Sequence, residues 1–423
     1  MVQLPGDKSI AHRATLLSLL CEGPVTLTNI PASADVSSTL GAVAALGVDV
    51  ARTGDRARLA RRGDVADDVV VDCGNAGTLA RLLFGLLAGL GRSATLVGDA
   101  SLSARPMRRA TAPVARLLGE DIVTLSSMGT LPARLRRRTA TSLATDTLAL
   151  DVPSAQVKSA ALLCALSVGD VVLVEPRATR DHTERLLSSL GVDVDVAPLP
   201  GGGARVTQRR PARLPGFTLA LPGDPSSAAF LLGRAAAVPG ARAVVDDVVL
   251  SPRRDGFLRA LVAAGVDVDV TPRGERGGET VGSVAVRGAA LRGIDLPAHD
   301  VPDLVDEIPL LAALLATASG PSRLRGLREL RVKESDRLAA TAALVRAFGG
   351  NIVIEGDDLV VAGGLRPGGD HVFVAVALDH RLEMTARVLG RILGRDVRTD
   401  GEGCEAVSFP GFVPLLDGVE RAL

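Results

Sequence analysis

One unit recurs six times along this chain, and that recurrence limits its fold more than any other feature. A short polar stretch leads into an apolar, Leu/Ala-rich helix, then a Gly-containing turn, then a β-branched strand. The copies read "GDKSIAHRATLLSLLCEGPVTLTNI", "GNAGTLARLLFGLLAGLGRSATLVGD", "SAQVKSAALLCALSVGDVVLVE", "GDPSSAAFLLGRAAAVPGARAVVDDV", "VDEIPLLAALLATASGPSRLRGL" and, more weakly, "DHRLEMTARVLGRILGRDVRTDG". Their polar starts fall near Lys8, Asn75, Ala155, Ser226, Asp306 and Asp379, about 75 residues apart. Between them lies a second, more amphipathic helix. Its end, in "LGVDV", "AGVDV" or "FGGNIVI", reads as a glycine cap feeding a strand.

Six units divide into two groups of three. "LPGD-S" recurs at 4–9 and 221–226 and marks where each group begins. The expected fold class is therefore α/β (α+β): two similar domains, each of three βαβαββ-like repeats. The first domain would span 7–221, and the second 1–6 plus 222–423. The opening "MVQLPGDKS" reads as a strand that belongs with the second domain. Each polar start sits at a helix N-terminus, where unpaired N–H groups and the helix dipole attract anions. Several such starts facing one cleft between the domains would hold phosphates and carboxylates without a metal.

At 423 residues the chain is long enough for two cores. Its 48 basic and 48 acidic residues balance, which argues against nucleic acid or a membrane surface as partner. Any anion site must then be a local cluster. Lysine occurs only as Lys8, Lys158 and Lys333; all other basic residues are arginine. Lysine is a compact charge that can lose its proton, and arginine in practice cannot, so each lysine is a candidate. Lys158, within a helical pattern, reads as a surface residue. The four cysteines are far apart with no CxxC pair, so neither a disulfide framework nor a metal site is expected. No signal pattern and no membrane-length apolar run occurs, which fits a cytoplasmic protein. No GxxxxGK loop occurs either.

The motifs give the chemistry. "LPGDKSIAHR" places Lys8, Ser9 and Arg13 at the start of the first helix, Arg13 on the face of Ser9. "DCGNAGTLAR" forms a turn through Asn75 and Gly77, where a glycine lets a ligand approach the main chain. "SLSARPM" places Arg105 in a loop, "PSAQVKSA" offers Ser154, Ala155 and Gln156, and "TRDHTER" offers Arg180 and His182. "VDEIP" gives Asp306, "RVKESDRL" packs Lys333, Glu334 and Arg337 onto about one helical turn, and "DHRLEM" supplies Asp379, His380 and Arg381. The two histidines read as scaffold residues.

Together these motifs resemble the 3-phosphoshikimate 1-carboxyvinyltransferase (EPSP synthase) family, in the family's order and from residue 4 to about 410. The resemblance implies the enolpyruvyl transferase fold. It also implies a transferase of the shikimate pathway, in chorismate and aromatic amino acid biosynthesis and targeted by glyphosate. Its substrates would be phosphoenolpyruvate and 3-phosphoshikimate, with no cofactor or metal, and the protein would be a monomer. By the resemblance, Lys8, Ser9 and Arg13 bridge the substrates. Ser154, the Ala155 backbone, Gln156 and Arg180 cradle 3-phosphoshikimate. Asn75, Gly77, Arg105, Gln156, Arg337 and Arg381 grip phosphoenolpyruvate, and Asp306, Lys333 and Glu334 form the catalytic cluster with Lys8.

Three departures stand out: Ala11 where serine is common, Val407 where some members carry lysine, and a divergent, Arg-rich 118–138. The rival readings are a transferase acting on a UDP-amino sugar, one acting on another shikimate-like alcohol, and a non-catalytic binder of phosphometabolites. The first usually carries a cysteine in the loop that here reads "GDASLSARPMRR". The last would have lost its acid–base residues.

Overall fold

The computed structural model describes residues 4–139 and 141–420. It divides into two compact units. The first is Lys8–Leu221 with the short segment Arg276–Glu279; the second is Met1–Asp7, Pro222–Glu275 and Thr280–Leu423.

The first unit repeats one pattern three times. Its first repeat is α1 (Lys8–Leu17), β1 (Val25–Thr28), α2 (Ala34–Ala45), β2 (Val48–Thr53) and β3 (Arg56–Arg61). The second is β4 (Val69–Asp72), α3 (Gly77–Leu90), β5 (Ala94–Val97), a single-turn α4 (Ala100–Ser103), α5 (Arg108–Leu118), β6 (Val123–Leu125) and β7 (Ala133–Leu135). The third is β8 (Thr147–Ala149), α6 (Ala155–Val168), β9 (Val171–Glu175), α7 (His182–Ser189), β10 (Val194–Pro198) and β11 (Ala204–Gln208), followed by β12 (Thr218–Ala220). The three sheets share one logic, with orders β12-β1-β3-β2, β4-β5-β7-β6 and β10-β11-β9-β8. In each, the strand that follows an inner helix pairs in parallel with a short strand on one side and antiparallel with a hairpin strand on the other. A parallel neighbour requires a helical crossover, and α3 and α6 supply it. For the first repeat the parallel partner is β12, from the far end of the unit.

Glycines set how closely the inner helices pack. A Cβ on Gly85 would lie 1.8 Å from the Ala160 carbonyl oxygen, and one on Gly89 would lie 2.4 Å from that of Cys164. Four residues apart, these glycines share one face of α3. The backbones of α3 and α6 therefore touch along their length, which draws together the turns that precede them.

The second unit uses the same repeats with more variation. It contains α8 (Pro225–Ala236), β13 (Arg242–Val249), α9 (Gly256–Ala263), β14 (Asp267–Arg276) and β15 (Glu279–Arg287). Next come β16 (Asp295–Leu296), α10 (Ile308–Ala316), β17 (Ser322–Leu324), α11 (Arg337–Ala347), β18 (Ile352–Glu355) and β19 (Asp358–Val361). The last repeat holds β20 (His371–Val374), α12 (His380–Leu393), β21 (Asp396–Thr399) and α13 (Phe412–Glu420). The middle sheet, β16-β17-β19-β18, keeps the full pattern. Among the described residues the sixth repeat, weakest in sequence, retains only the parallel pair β20–β21 and no hairpin, so it departs from the βαβαββ expectation. An aliphatic core of α8, α10 and α12 fills the middle of this unit, with Leu231, Leu311, Leu314 and Leu389 fully buried. Burying such a side chain contributes about 1.5–3 kcal/mol.

The expected N-terminal strand is not formed among the described residues. There, Gly6 makes one isolated bridge to Gly223, and Asp7 N–H donates to the Pro222 carbonyl at 2.7 Å. The glycine caps appear where the sequence puts them: Gly47, Gly191, Gly265 and Gly349 all have positive φ, between 81° and 99°.

Candidate active site

The inner helices begin at Lys8, Gly77, Ala155, Pro225, Ile308 and His380, within two or three residues of the six polar starts. The predicted site residues fall into two clusters, one in each unit.

In the first unit, α3 and α6 open without a side-chain cap and without an acidic residue in the first turn. The Gly77 N–H donates to the Asn75 carbonyl at 2.9 Å; helix starts of this kind present partial positive charge that no acidic side chain offsets here. Gln156, in the first turn of α6, is fixed at both ends of its amide. It accepts from Arg81 Nη1 at 2.9 Å and donates to Thr78 Oγ1 at 2.9 Å. In the neighbouring turn, Asp99 accepts from Asn75 Nδ2 at 2.7 Å, and Asn75 Oδ1 accepts from Arg105 Nη2 at 2.5 Å. Gly77 lies against both arginines of this turn. A Cβ there would meet Arg81 Nη1 at 3.0 Å and Arg105 Nη1 at 3.3 Å. Lys8 donates to Asp35 at 2.7 Å. Ser9 stands in the first turn of α1, half-buried.

Arg13 is buried instead of presented. Its guanidinium donates to Thr183 Oγ1 at 2.6 Å, Ser159 Oγ at 2.8 Å and the Ser9 carbonyl at 2.9 Å. It ties α1 to α6 and α7.

Lys158 corrects the sequence reading. Its side chain is 1% exposed, with Nζ 2.8 Å from both Glu175 and Glu184. Periodicity failed here because α6 is enclosed along most of its length, so a polar position need not face water. Burial alone would lower the Lys158 pKa, but Glu184 and Glu175 outweigh it and keep the ammonium charged. Burial pushes the Glu184 carboxyl up in spite of Lys158. His182 is a scaffold residue, its Nδ1 2.6 Å from Glu279 Oε1 and both side chains buried. His12, also buried, bonds Thr39 Oγ1 at 2.6 Å; burial drives its pKa down to about 3, so the ring is neutral.

In the second unit, carboxylates gather around Arg337. Its Nε lies 2.8 Å from Asp379, its Nη2 2.5 Å from Glu334 and its Nη1 3.6 Å from Asp306. Burial opposes the charge on Arg337, but the carboxylates overcome it and raise its pKa further. The three acids differ in access: the Asp379 side chain is 0% exposed, Asp306 17% and Glu334 26%. Asp379 also caps α12 through the Arg381 N–H at 3.0 Å and accepts from Ser335 at 2.9 Å. Burial would raise its pKa, yet Arg337 holds the carboxyl below its usual range. It is scaffold, whereas Asp306 and Glu334 can reach a ligand. Arg381 lies close to Asp306, with Nη1 donating to its carbonyl at 3.3 Å. Lys333 Nζ is 4.0 Å from the Asp306 carboxylate and 3.1 Å from Glu329.

Lys333 and Glu334 are not on a helical turn, as the sequence suggested. They sit in bends between a 3-10 turn, Arg328–Val332, and the start of α11 at Arg337, whose cap is Asp336. Sequence reasoning also missed Asp35 as the partner of Lys8 and gave Arg81 no role. The first carried no signal; the second was legible as an arginine one turn into α3.

The four cysteines are free thiols. Burial pushes all of them up to about 12, so none is a thiolate near neutrality. No group of residues suited to a metal ion occurs among the described residues. No described helix is long and apolar enough to cross a membrane.

Residues 1–416 match the family model for EPSP synthase (3-phosphoshikimate 1-carboxyvinyltransferase). A 3-phosphoshikimate 1-carboxyvinyltransferase of Gluconobacter oxydans is 42% identical over 427 residues, covering 100% of this chain and 95% of the relative. One from Granulibacter bethesdensis is 44% identical, covering 99% and 92%. Among solved structures, EPSP synthase from Acinetobacter baumannii aligns with a TM-score of 0.84 at 32% identity, over 99% of this chain and 95% of that one. The chain belongs to the EPSP synthase family.

A cavity of about 430 Å³ in the second unit, walled by Ala228, Leu232, Val249 and Phe257, is a poor match for anionic substrates. Its arginines, Arg254 and Arg259, are already paired with aspartates.

Proposed function

We propose that this protein transfers the enolpyruvyl group of phosphoenolpyruvate to the 5-hydroxyl of 3-phosphoshikimate and releases phosphate. The observation that carries this reading is the sorting of three carboxylates on one buried arginine. Arg337 holds Asp379 out of reach and leaves Asp306 and Glu334 partly open beside Arg381 and Lys333. Proton transfer to and from carbon needs such carboxylates next to fixed cations. Family membership and the intact motif set give the same answer.

In this reading both clusters serve one pair of substrates. The start of α6, with Lys8, Ser9, Ser154, Gln156 and Arg180, takes the anionic groups of 3-phosphoshikimate, and the buried Arg13 holds α1 against α6 and α7 behind them. Asn75, Gly77, Arg105 and Arg381 take phosphoenolpyruvate. Arg337 acts chiefly by setting the acids. Fixed arginines and helix dipoles offset the repulsion between two phosphates and two carboxylates.

The reaction is addition followed by elimination. Glu334 delivers a proton to the methylene carbon of phosphoenolpyruvate, and the central carbon becomes electrophilic. Asp306 takes the proton of the acceptor hydroxyl as its oxygen bonds to that carbon. The tetrahedral adduct then returns a methyl proton to Glu334, the carbon–phosphate oxygen bond breaks, and the leaving phosphate oxygen takes, by way of Lys8, the proton held by Asp306, which resets both acids. Lys8 supports the bridging and leaving oxygens, and Lys333 the Asp306 carboxylate. Protons are shared among these coupled groups, so apparent pKa values belong to the cluster.

The test is phosphate release from phosphoenolpyruvate in metal-free buffer, with and without 3-phosphoshikimate. Release only when both are present is expected. No release with both, or equal release with a UDP-amino sugar in place of 3-phosphoshikimate, would overturn the reading.

A further inference from the structure

Lys158 has no part in the chemistry above, yet it is the most enclosed of the three lysines. It lies one turn into α6, and both ends of the residue are tied. Its backbone N–H donates to the Ser154 carbonyl at 3.0 Å, while Nζ donates to the Thr179 carbonyl at 3.3 Å. Nζ also lies 2.8 Å from Glu175 at the end of β9 and 2.8 Å from Glu184 in α7. Glu175 in turn accepts from the Thr179 N–H at 3.2 Å and its hydroxyl at 2.7 Å. Thr179 is thus held through its N–H, its carbonyl and its hydroxyl, and the next residue is Arg180. Beyond Arg180, Asp181 pairs with Arg185 at 2.9 Å. Ser159, next to Lys158, closes the network by bonding Arg13 and Thr183.

We infer that Lys158 is a positioning residue for the acceptor phosphate: its ammonium locks the backbone that carries Arg180 to the start of α6, which carries Ser154 and Gln156. This rests on the reading that those residues hold 3-phosphoshikimate. A compact ammonium on a flexible stem can point into three acceptors inside a closed core, where a planar guanidinium needs more room. A buried cation without its carboxylates, or the reverse, is costly, so the network has two settings, complete or disrupted. A shift of about 1 Å can cost on the order of 10²-fold in rate, and a lost hydrogen bond to a charged group about tenfold or more in affinity.

The test uses the full-length enzyme. Lys158→Met strands two carboxylates in the core, so it is paired with the triple variant Lys158→Met/Glu175→Gln/Glu184→Gln, which removes all three charges at similar volume. Thr179→Val, which deletes only the hydroxyl bond to Glu175, is the mild third arm. Calorimetric Kd for 3-phosphoshikimate alone is measured first on wild type; absence of binding there refutes the proposed function itself. Given binding, the Kd and KM for 3-phosphoshikimate should rise about tenfold or more in the lysine variants and about two- to fivefold in Thr179→Val, with the KM for phosphoenolpyruvate within about twofold of wild type. A purely structural Lys158 would lower thermal stability and leave that split absent. Unchanged 3-phosphoshikimate affinity in any folded variant, or equal loss for both substrates, overturns the inference. Should both lysine variants fail to fold, Thr179→Val decides.

Discussion

The two units are built from one repeat but use their helix starts differently. In the first unit, α3 opens after Ala76 and α6 after Ser154, with no side-chain cap and no acid in the first turn. In the second unit, α8 and α12 are capped by Asp224 and Asp379, and α10 follows Asp306 and Glu307. In the proposed reading the starts of α3 and α6 are left for a ligand's anions, whereas Asp224 and Asp379 occupy those of α8 and α12 and Arg337 gathers the acids of the second unit. On that proposal, the same backbone motif serves as an anion cradle or a proton-transfer cluster according to the residue placed at the cap.

The largest expected effect would break the second half of that comparison. Glu334→Gln keeps the shape and hydrogen-bonding reach of the side chain and removes its proton chemistry. Turnover should fall by about 10²–10⁴-fold, the usual worth of a placed acid–base group, with 3-phosphoshikimate affinity nearly unchanged. Steady-state kinetics with calorimetric binding checks this, and near-normal turnover would remove Glu334 from the mechanism.

Packing gives the next contrast. Gly85→Ala places a Cβ 1.8 Å from a backbone oxygen, so α3 and α6 must separate. In the second unit, the atoms nearest the Cβ of Gly233→Ala are side-chain carbons of Leu314, Leu310 and Phe257, at 3.1–3.3 Å. Overpacking costs about 1–3 kcal/mol. Gly85→Ala should reach or exceed the upper end and also weaken 3-phosphoshikimate binding, because Gln156 loses its register with Arg81. Gly233→Ala should cost about 1 kcal/mol or less, partly offset by the lower entropy of an alanine chain when unfolded. Denaturant melts of the two variants test the order; equal costs would show that the close approach of α3 and α6 is unimportant.

Acid should act on the first unit through His12. Its folded pKa, about 3, lies below the unfolded value of 6.5, so the unfolded chain takes up the proton first. The stability from keeping this ring neutral is complete above pH 6.5 and is lost as pH falls toward 3. The advantage of wild type over His12→Asn, measured by denaturation at each pH, should shrink by roughly 1.4 kcal/mol per unit in that window. A flat difference would mean that the ring takes up its proton at the same pH in the fold as in the unfolded chain. Asp35 opposes the shift, and Lys8 and Arg13 reinforce it.

Much of the proposed site was legible because its motifs are local. A polar start followed by an apolar helix fixes where the N–H groups point, so Asn75, Gly77, Ser154, Ala155 and Gln156 could be proposed from neighbours in sequence. Lys333 and Glu334 lie beside Asp306 and Arg337, but the sequence suggested the wrong local form for them. Helical spacing fits "KESDR" as well as the bend that Asp336 enforces by capping α11.

The sequence by itself determined the repeating helix starts, their glycine caps and the candidate positions for the chemistry, since each depends on spacing within a few turns of chain. Tertiary structure alone decided which charged groups are spent inside the protein. Lys158, Arg13 and Arg337 look in sequence like any exposed cation beside a helix start. Their burial follows from partners 17 to 170 residues away, such as Glu175 for Lys158, Asp379 for Arg337 and Thr183 for Arg13. No local pattern encodes such pairings, because the energy that settles a charge in a core comes from whatever the fold packs against it.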